Sequence, residues 1–159
     1  MAIEAVKDYF AQQGRANDVM EFEVSSATVE LAAQALQVIA ARIAKTLSFK
    51  NENGCILVVT AGDAKVDNRK FKDQFGIKAK MLTPDEVLEF TGHAVGGVCP
   101  FAIKTSKVKT YVDVSIKRFD TVFPACGSSN SAIELTSDEL YQYAQGLMWV
   151  DVCKDWVAS

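Results

Sequence analysis

The stretch that most constrains this chain is Asn51-Glu52-Asn53-Gly54 followed at once by Cys55-Ile56-Leu57-Val58-Val59-Thr60. A turn-forming quartet followed by an unbroken aliphatic run is the pattern of a strand buried on both faces. Before the turn, Lys45–Lys50 alternates: Leu47 and Phe49 are apolar and their neighbours polar. The two segments read as a hairpin near the middle of a sheet. The aliphatic run is far shorter than the ~20 residues a membrane-spanning helix needs, so no membrane role is expected. The rest of the chain must supply layers to cover this hairpin. At 159 residues and 49% apolar content it is long and apolar enough for a real core. A single domain over 1–159 is expected.

The flanking segments switch period repeatedly. Ile3, Val6 and Phe10 recur at helical spacing over 2–13, and Gly14 closes that helix. Met20, Phe22 and Val24 alternate with Glu21 and Glu23, predicting a half-wet strand. Thr28 caps a helix through Leu36, and a short helix spans 40–44. Thr83-Pro84-Asp85-Glu86 and Thr136-Ser137-Asp138-Glu139 are capping boxes, the first with Pro at the first helical position. Further strands are expected near 100–103, 108–114, 121–125, 131–135 and 148–153. The count is seven or eight strands and five helices. With no repeated βαβ spacing, the expected architecture is α/β (α+β): a central mixed, barrel-like sheet flanked by helices.

The formal net charge is −3. Phosphate neutralisation supplies most of the affinity of non-specific nucleic-acid binders. An acidic chain is therefore no autonomous DNA binder, and any RNA partner must be held weakly or through a second protein. The opening MAIEAVKDYF carries Glu4 and Asp8 and no secretory apolar stretch, so the expected location is cytoplasmic. Cys55, Cys99, Cys126 and Cys153 include no CxxC pair, and His93 is the sole histidine. Buried, reduced thiols are expected, with no metal and no cofactor.

Three stretches could carry chemistry. In Gly92-His93-Ala94-Val95-Gly96-Gly97-Val98-Cys99-Pro100 the glycines let main-chain amides approach a ligand; the alternative is a tight helix-to-strand connection. Cys126-Gly127-Ser128-Ser129-Asn130-Ser131 is either a polar recognition wall or a hairpin turn. Lys45, where a helix meets a strand, either neutralises a helix end or offers a fixed cation to an anion or a polarised carbonyl. His93 reads as a surface or structural residue, since no serine elbow or triad context accompanies it. Asp113 marks the polar edge of a strand. A thiol mechanism at Cys99 or Cys126 is the least favoured reading, because no resolving cysteine lies near.

Taken in order, Ala44-Lys45-Thr46-Leu47, Val66-Asp67, Gly92-His93, Gly96-Gly97-Val98-Cys99-Pro100, Tyr111-Val112-Asp113 and Phe123 through Ile133 resemble the YbaK/EbsC family. These are stand-alone relatives of the editing domain inserted in bacterial prolyl-tRNA synthetases. The resemblance runs from about residue 20 to the C-terminus. It implies a deacylase acting in trans on a mischarged tRNA at its 3′ acceptor end, possible partnership with a synthetase such as prolyl-tRNA synthetase, and no cofactor. It assigns the functional lysine to Lys45 and the Gly-x-x-x-Pro loop to Gly96 through Pro100, with the amides of Gly96, Gly97 and Val98 in the catalytic role. Phe22, Thr46, Cys99, Pro100, Gly127, Ser128 and Asn130 are the implied substrate-binding residues. Some members have Asn after the lysine and a histidine in a later pocket strand; this chain has Thr46 and no such histidine. Cysteine-specific members have Asp where Ala132 stands. The identity of the rejected amino acid is therefore left open. An activated ester needs no strong nucleophile or metal, so the ribose hydroxyl beside it is expected to direct the water or to act itself. The alternative is a non-catalytic module that binds tRNA or an aminoacyl ligand in the same pocket.

Overall fold

The computed structural model describes residues 2–156. α1 (Ala2–Gln12), β1 (Met20–Glu21) and α2 (Val29–Leu36) precede the hairpin of β2 (Ile43–Asn51) and β3 (Gly54–Ala61). β4 (Lys65–Val66), α3 (Asn68–Phe75) and α4 (Pro84–Thr91) follow. The second half runs β5 (Val108–Asp113), β6 (Thr121–Pro124), β7 (Ser131–Ala132), β8 (Leu135–Thr136), α5 (Ser137–Tyr143), β9 (Trp149–Val150) and β10 (Cys153–Lys154).

The predicted hairpin is the centre of the molecule. β2 and β3 pair antiparallel from Ala44↔Ala61 to Asn51↔Gly54. β6 joins β2 in parallel and β5 joins β3 in parallel, giving the six-strand order β8-β6-β2-β3-β5-β9. The result is the expected mixed sheet, curled into a half barrel. β3 is buried from Cys55 to Ala61 because both its neighbours and both its faces are covered. Cys55 and Leu57 meet Leu82 and Val87 of the α4 layer. Ile56 and Val58 join a larger core with Val6 and Phe10 of α1, Phe71 of α3 and Leu140 of α5. Alternating burial on two faces is what a continuous aliphatic strand requires.

Several expectations are corrected. The 19–24 strand shrinks to β1, which pairs with β7 outside the main sheet. The predicted 131–135 strand divides into β7 and β8, and the 148–153 strand into β9 and β10, each half pairing with a different neighbour. The short helix at 40–44 is a 3₁₀ turn, Ala40–Arg42, and β2 starts at Ile43. Segment 100–103 is no strand: Ala102 takes a left-handed φ of 58°, and its carbonyl neighbour Phe101 accepts from His93 Nε2 at 2.8 Å. α3 was not anticipated, although Asp67 caps it through the amides of Arg69 and Lys70 and Gly76 ends it. Asp113 is fully buried instead of lying on a polar edge. Its carboxylate accepts from the amides of Ser115 at 3.0 Å and Val152 at 2.9 Å, tying β5 to the segment before β10.

Both predicted capping boxes form with both reciprocal bonds. Thr83→Ala and Thr136→Ala are each expected to lower unfolding stability by ~1 kcal/mol, read from the urea midpoint at unchanged slope; a loss far below this at either site would mean that its helix does not depend on the cap.

Candidate functional site

A cavity of about 140 Å³ opens where the start of β2 meets the loop after α4. Its floor is a small apolar cluster: Ala32 of α2, Ile43 of β2 and Phe123 of β6. Ser26 through Val29 form its rim, Lys45 and Thr46 one wall, Gly96 and Val98 another, and Ser131 and Ala132 a third. Of the residues singled out from sequence, Lys45, Thr46, Gly96 and Val98 therefore share one cleft.

The others do not line it. Cys99 is fully buried in the main core, and Pro100 lines a separate cavity beside α1 and the end of α5. Gly127 faces the start of α1, where an added Cβ would lie 3.0 Å from the main chain of Ala2. Gly97 is needed for packing: a Cβ there would sit 2.7–2.8 Å from the backbone of Ser128. The Gly97 amide donates to the Ala94 carbonyl at 3.0 Å. That leaves the amides of Gly96 and Val98 without an intramolecular acceptor among the described residues.

Ser128, Asn130 and Phe22 stand behind the wall and hold it. Asn130 Nδ2 donates to the Phe22 carbonyl at 2.9 Å, and the Phe22 amide donates back to the Asn130 carbonyl at 2.8 Å. Ser128 Oγ donates to Asn130 Oδ1 at 2.9 Å and lies 2.7 Å from Ser131 Oγ, which reaches the cavity. The Ser26 amide donates to the Ser129 carbonyl at 2.6 Å, fixing the rim. The Cys126–Ser131 run thus latches the wall through main-chain and side-chain bonds, and its last residue, Ser131, lines the cavity.

His93 is buried, not superficial. Burial depresses its pKa, and burial pushes the Cys99 thiol, 3.5 Å from Nε2, up to about 12. Burial also raises the thiols of Cys55, to about 11, and Cys126. All four cysteines are free and buried. A thiol with no water access and a raised pKa supplies little thiolate, which weighs against a thiol mechanism at Cys99 and Cys126. Among the described residues no cluster of His, Cys, Asp or Glu could hold a metal, and no helix is long and apolar enough to cross a membrane.

Residues 23–143 match the model of the aminoacyl-tRNA editing domain. The chain belongs to that family. It is 57% identical over 157 residues to the Bacillus subtilis protein YwhH, covering 98% of this chain and 99% of that one. It is 36% identical over 91 residues to the proline–tRNA ligase of Thermosipho melanesiensis, a match spanning 57% of this chain and 16% of the ligase. A crystal structure described as a candidate trans-editing enzyme for prolyl tRNA synthetase superposes with a TM-score of 0.86 at 28% identity, covering 96% of this chain and 97% of that one.

In this editing domain the surroundings of Lys45 include residues that sequence reasoning missed. Gly62 opens the turn after β3, and a Cβ there would collide with the Ala40 carbonyl. This close approach brings the Gly62 carbonyl to 3.5 Å from Lys45 Nζ. Asp63 follows and is gripped by both terminal nitrogens of Arg118, one at 2.9 Å. The Arg118 guanidinium lies over the rings of Phe119 and Trp156 and donates through Nε to the Ser115 carbonyl. Only the glycine at 62 left a local trace; the Asp63–Arg118 pair spans too much sequence to be read.

Burial lowers the pKa of Lys45, opposed by Cys153, Asp63 and Glu30. Cys153 is itself held protonated by burial, so Asp63 is the leading negative charge acting on Lys45. Hydrogen bonding from Arg118 lowers the Asp63 pKa despite partial burial. A depressed carboxylate contributes stability above its unfolded pKa of ~3.9 and loses it as pH falls through the folded value. Wild type and Asp63→Asn should therefore differ in unfolding stability at pH 7 and converge in strong acid, while lysine NMR reports a lower Lys45 pKa in the variant. Equal Lys45 titration in both proteins would dissociate Asp63 from the site. Gly97→Ala, which presses a methyl onto Ser128 backbone, should cost ~1–3 kcal/mol of stability, measured by chemical denaturation; a neutral substitution would mean that the two loops separate freely.

Proposed function

We propose that this editing domain hydrolyses the ester joining a wrong, small amino acid to the 3′-terminal adenosine of a tRNA. The observation that carries the reading is the meeting of Lys45 with Gly96 and Val98 in one small cavity. The family match and the likeness to the solved structure support it.

The chemistry asked of the site is modest. An aminoacyl ester is already activated. Water adds to the carbonyl carbon, the bond to the ribose oxygen breaks, and that oxygen leaves with a proton. The vicinal ribose hydroxyl is positioned by its own covalent structure to direct the water, so no side-chain base is required. The amides of Gly96 and Val98 stabilise the oxyanion, where one donor is worth ~3 kcal/mol. The Lys45 ammonium, fixed near the Gly62 carbonyl, clamps the terminal phosphate or the substrate carbonyl.

The apolar floor of Ala32, Ile43 and Phe123 receives the side chain of the amino acid. Size selection there acts as a second sieve, because a synthetase gains only ~1–3 kcal/mol from one methylene. The cavity volume of about 140 Å³ favours a small side chain. The matches to proline–tRNA ligases point to prolyl-tRNA synthetase as the source of the error and as a partner that supplies tRNA identity.

Purified protein should be incubated with tRNA(Pro), tRNA(Ala) and tRNA(Thr) species carrying Ala, Cys, Ser or Thr. Wild type should hydrolyse a subset, and Lys45→Ala should slow that subset by ~100-fold, as expected for loss of one electrostatic contact to the reacting centre. Unchanged rates in the variant would remove Lys45 from the mechanism. Mischarged-tRNA binding with no hydrolysis by wild type would identify a binding module instead.

A further inference from the structure

Two exposed lysines meet on the short β4–β10 ladder. Lys65 of β4 and Lys154 of β10 face each other directly in the antiparallel register. Directly opposed like charges destabilise a strand pair, so folding gains nothing from this pairing. Both are exposed, and neither forms an ion pair among the described residues. Of the neighbouring carboxylates, Asp67 attracts Lys154 through space without forming an ion pair with it. Asp63 is held by Arg118, Asp67 accepts from the amides of Arg69 and Lys70, and Asp151 pairs with Lys70. Asp155 follows Lys154 beyond the strand, in a left-handed conformation.

Lys65 also lies near Lys45, which lines the cavity. Lys65 is three residues beyond Gly62, whose carbonyl is 3.5 Å from Lys45 Nζ. The facing groups are Glu30 from α2, Asp63 from the turn after β3, Lys65 from β4 and Cys153 from β10; Lys65 disfavours the charged form of Lys45. Lys45, Lys65 and Lys154 stand on neighbouring elements, with Asp63 and Asp67 among them, in a chain of net charge −3.

We propose that Lys65 and Lys154 form a docking surface for the phosphodiester backbone of the tRNA acceptor stem, leading its 3′ end into the Lys45 cavity. The inference rests on the deacylase reading for its direction along the RNA. An acidic chain that must hold RNA weakly needs a few such contacts at one place, since general attraction is absent.

The test compares Lys65→Ala/Lys154→Ala with wild type on two substrates. One is a mischarged tRNA cleaved by wild type; the other is the same aminoacyl ester on free adenosine, which lacks phosphates. On tRNA the double variant should raise KM by about tenfold at unchanged kcat and flatten the log–log salt dependence by about one unit per lysine. On the adenosine ester it should match wild type, whereas Lys45→Ala should fail on both. Lys78→Ala/Lys80→Ala, beside the far end of β2, removes the same charge and should leave KM unchanged. An unaltered KM and salt slope in the first variant, an equal loss in the Lys78/Lys80 control, or a loss on the adenosine ester would each overturn the docking surface. If wild type cleaves no ester, the deacylase reading fails separately, and the salt slope of uncharged tRNA binding still decides the role of the two lysines.

Discussion

The antiparallel ladder between β2 and β3 is the constraint on which the other elements rely. Its register sets Lys45 opposite Thr60 and Thr46 opposite Val59. Slipping one strand by a single residue would turn every side chain to the opposite face and bury the lysine in the wrong layer. The slip is resisted because β3, apolar but for Thr60, is buried on both sides, so its partners must meet specific neighbours from α1, α3, α4 and α5. β6 and β5 then add in parallel on either side, carrying the Phe123 floor and the Asp113 tie with them. The cavity is the place where this ladder runs out, at the curled end of the sheet.

Around that end, the wall is held by main-chain bonds between loops distant in sequence. Phe22 and Asn130 exchange bonds, Ser26 reaches Ser129, and Gly97 rests on Ser128. The loop that carries Gly96 and Val98 is thus braced by the segment following β6. Lys45 is braced from the other direction by Gly62 and by the Arg118–Asp63 pair. A half-buried cation needs such company: removal from water disfavours its charge, and a fixed carboxylate nearby restores part of it.

Much of the local structure could be read directly. Two capping boxes, the Thr28 cap and the hairpin turn are short-range signals, where a side chain satisfies an amide three residues away. The strand at 100–103 was misread because its residues are apolar and β-compatible, yet the His93–Phe101 bond and the left-handed Ala102 give the segment another partner. Helix α3 was missed although Asp67 and Gly76 bracket it; the low apolar content of Asn68–Phe75 weakened the periodic signal. Asp113 looked superficial because alternation cannot reveal that two amides from elsewhere satisfy a buried carboxylate. Within the site, the family resemblance marked Lys45, Thr46, Gly96 and Val98. It also drew in Cys99, Pro100 and Gly127, which are neighbours in sequence but face other cavities or the core.

The amino-acid sequence alone determined the hairpin, the mixed helix-flanked sheet and the family, because these follow from periodicity, caps and an ordered set of short motifs. Only the tertiary structure decided which of the conspicuous residues share a cleft, which amides are already engaged, and which carboxylates neutralise which cations. Those matters depend on contacts between segments tens of residues apart. A linear pattern encodes the tendency of each segment to form an element, but the distance between two elements is set by how all of them pack at once.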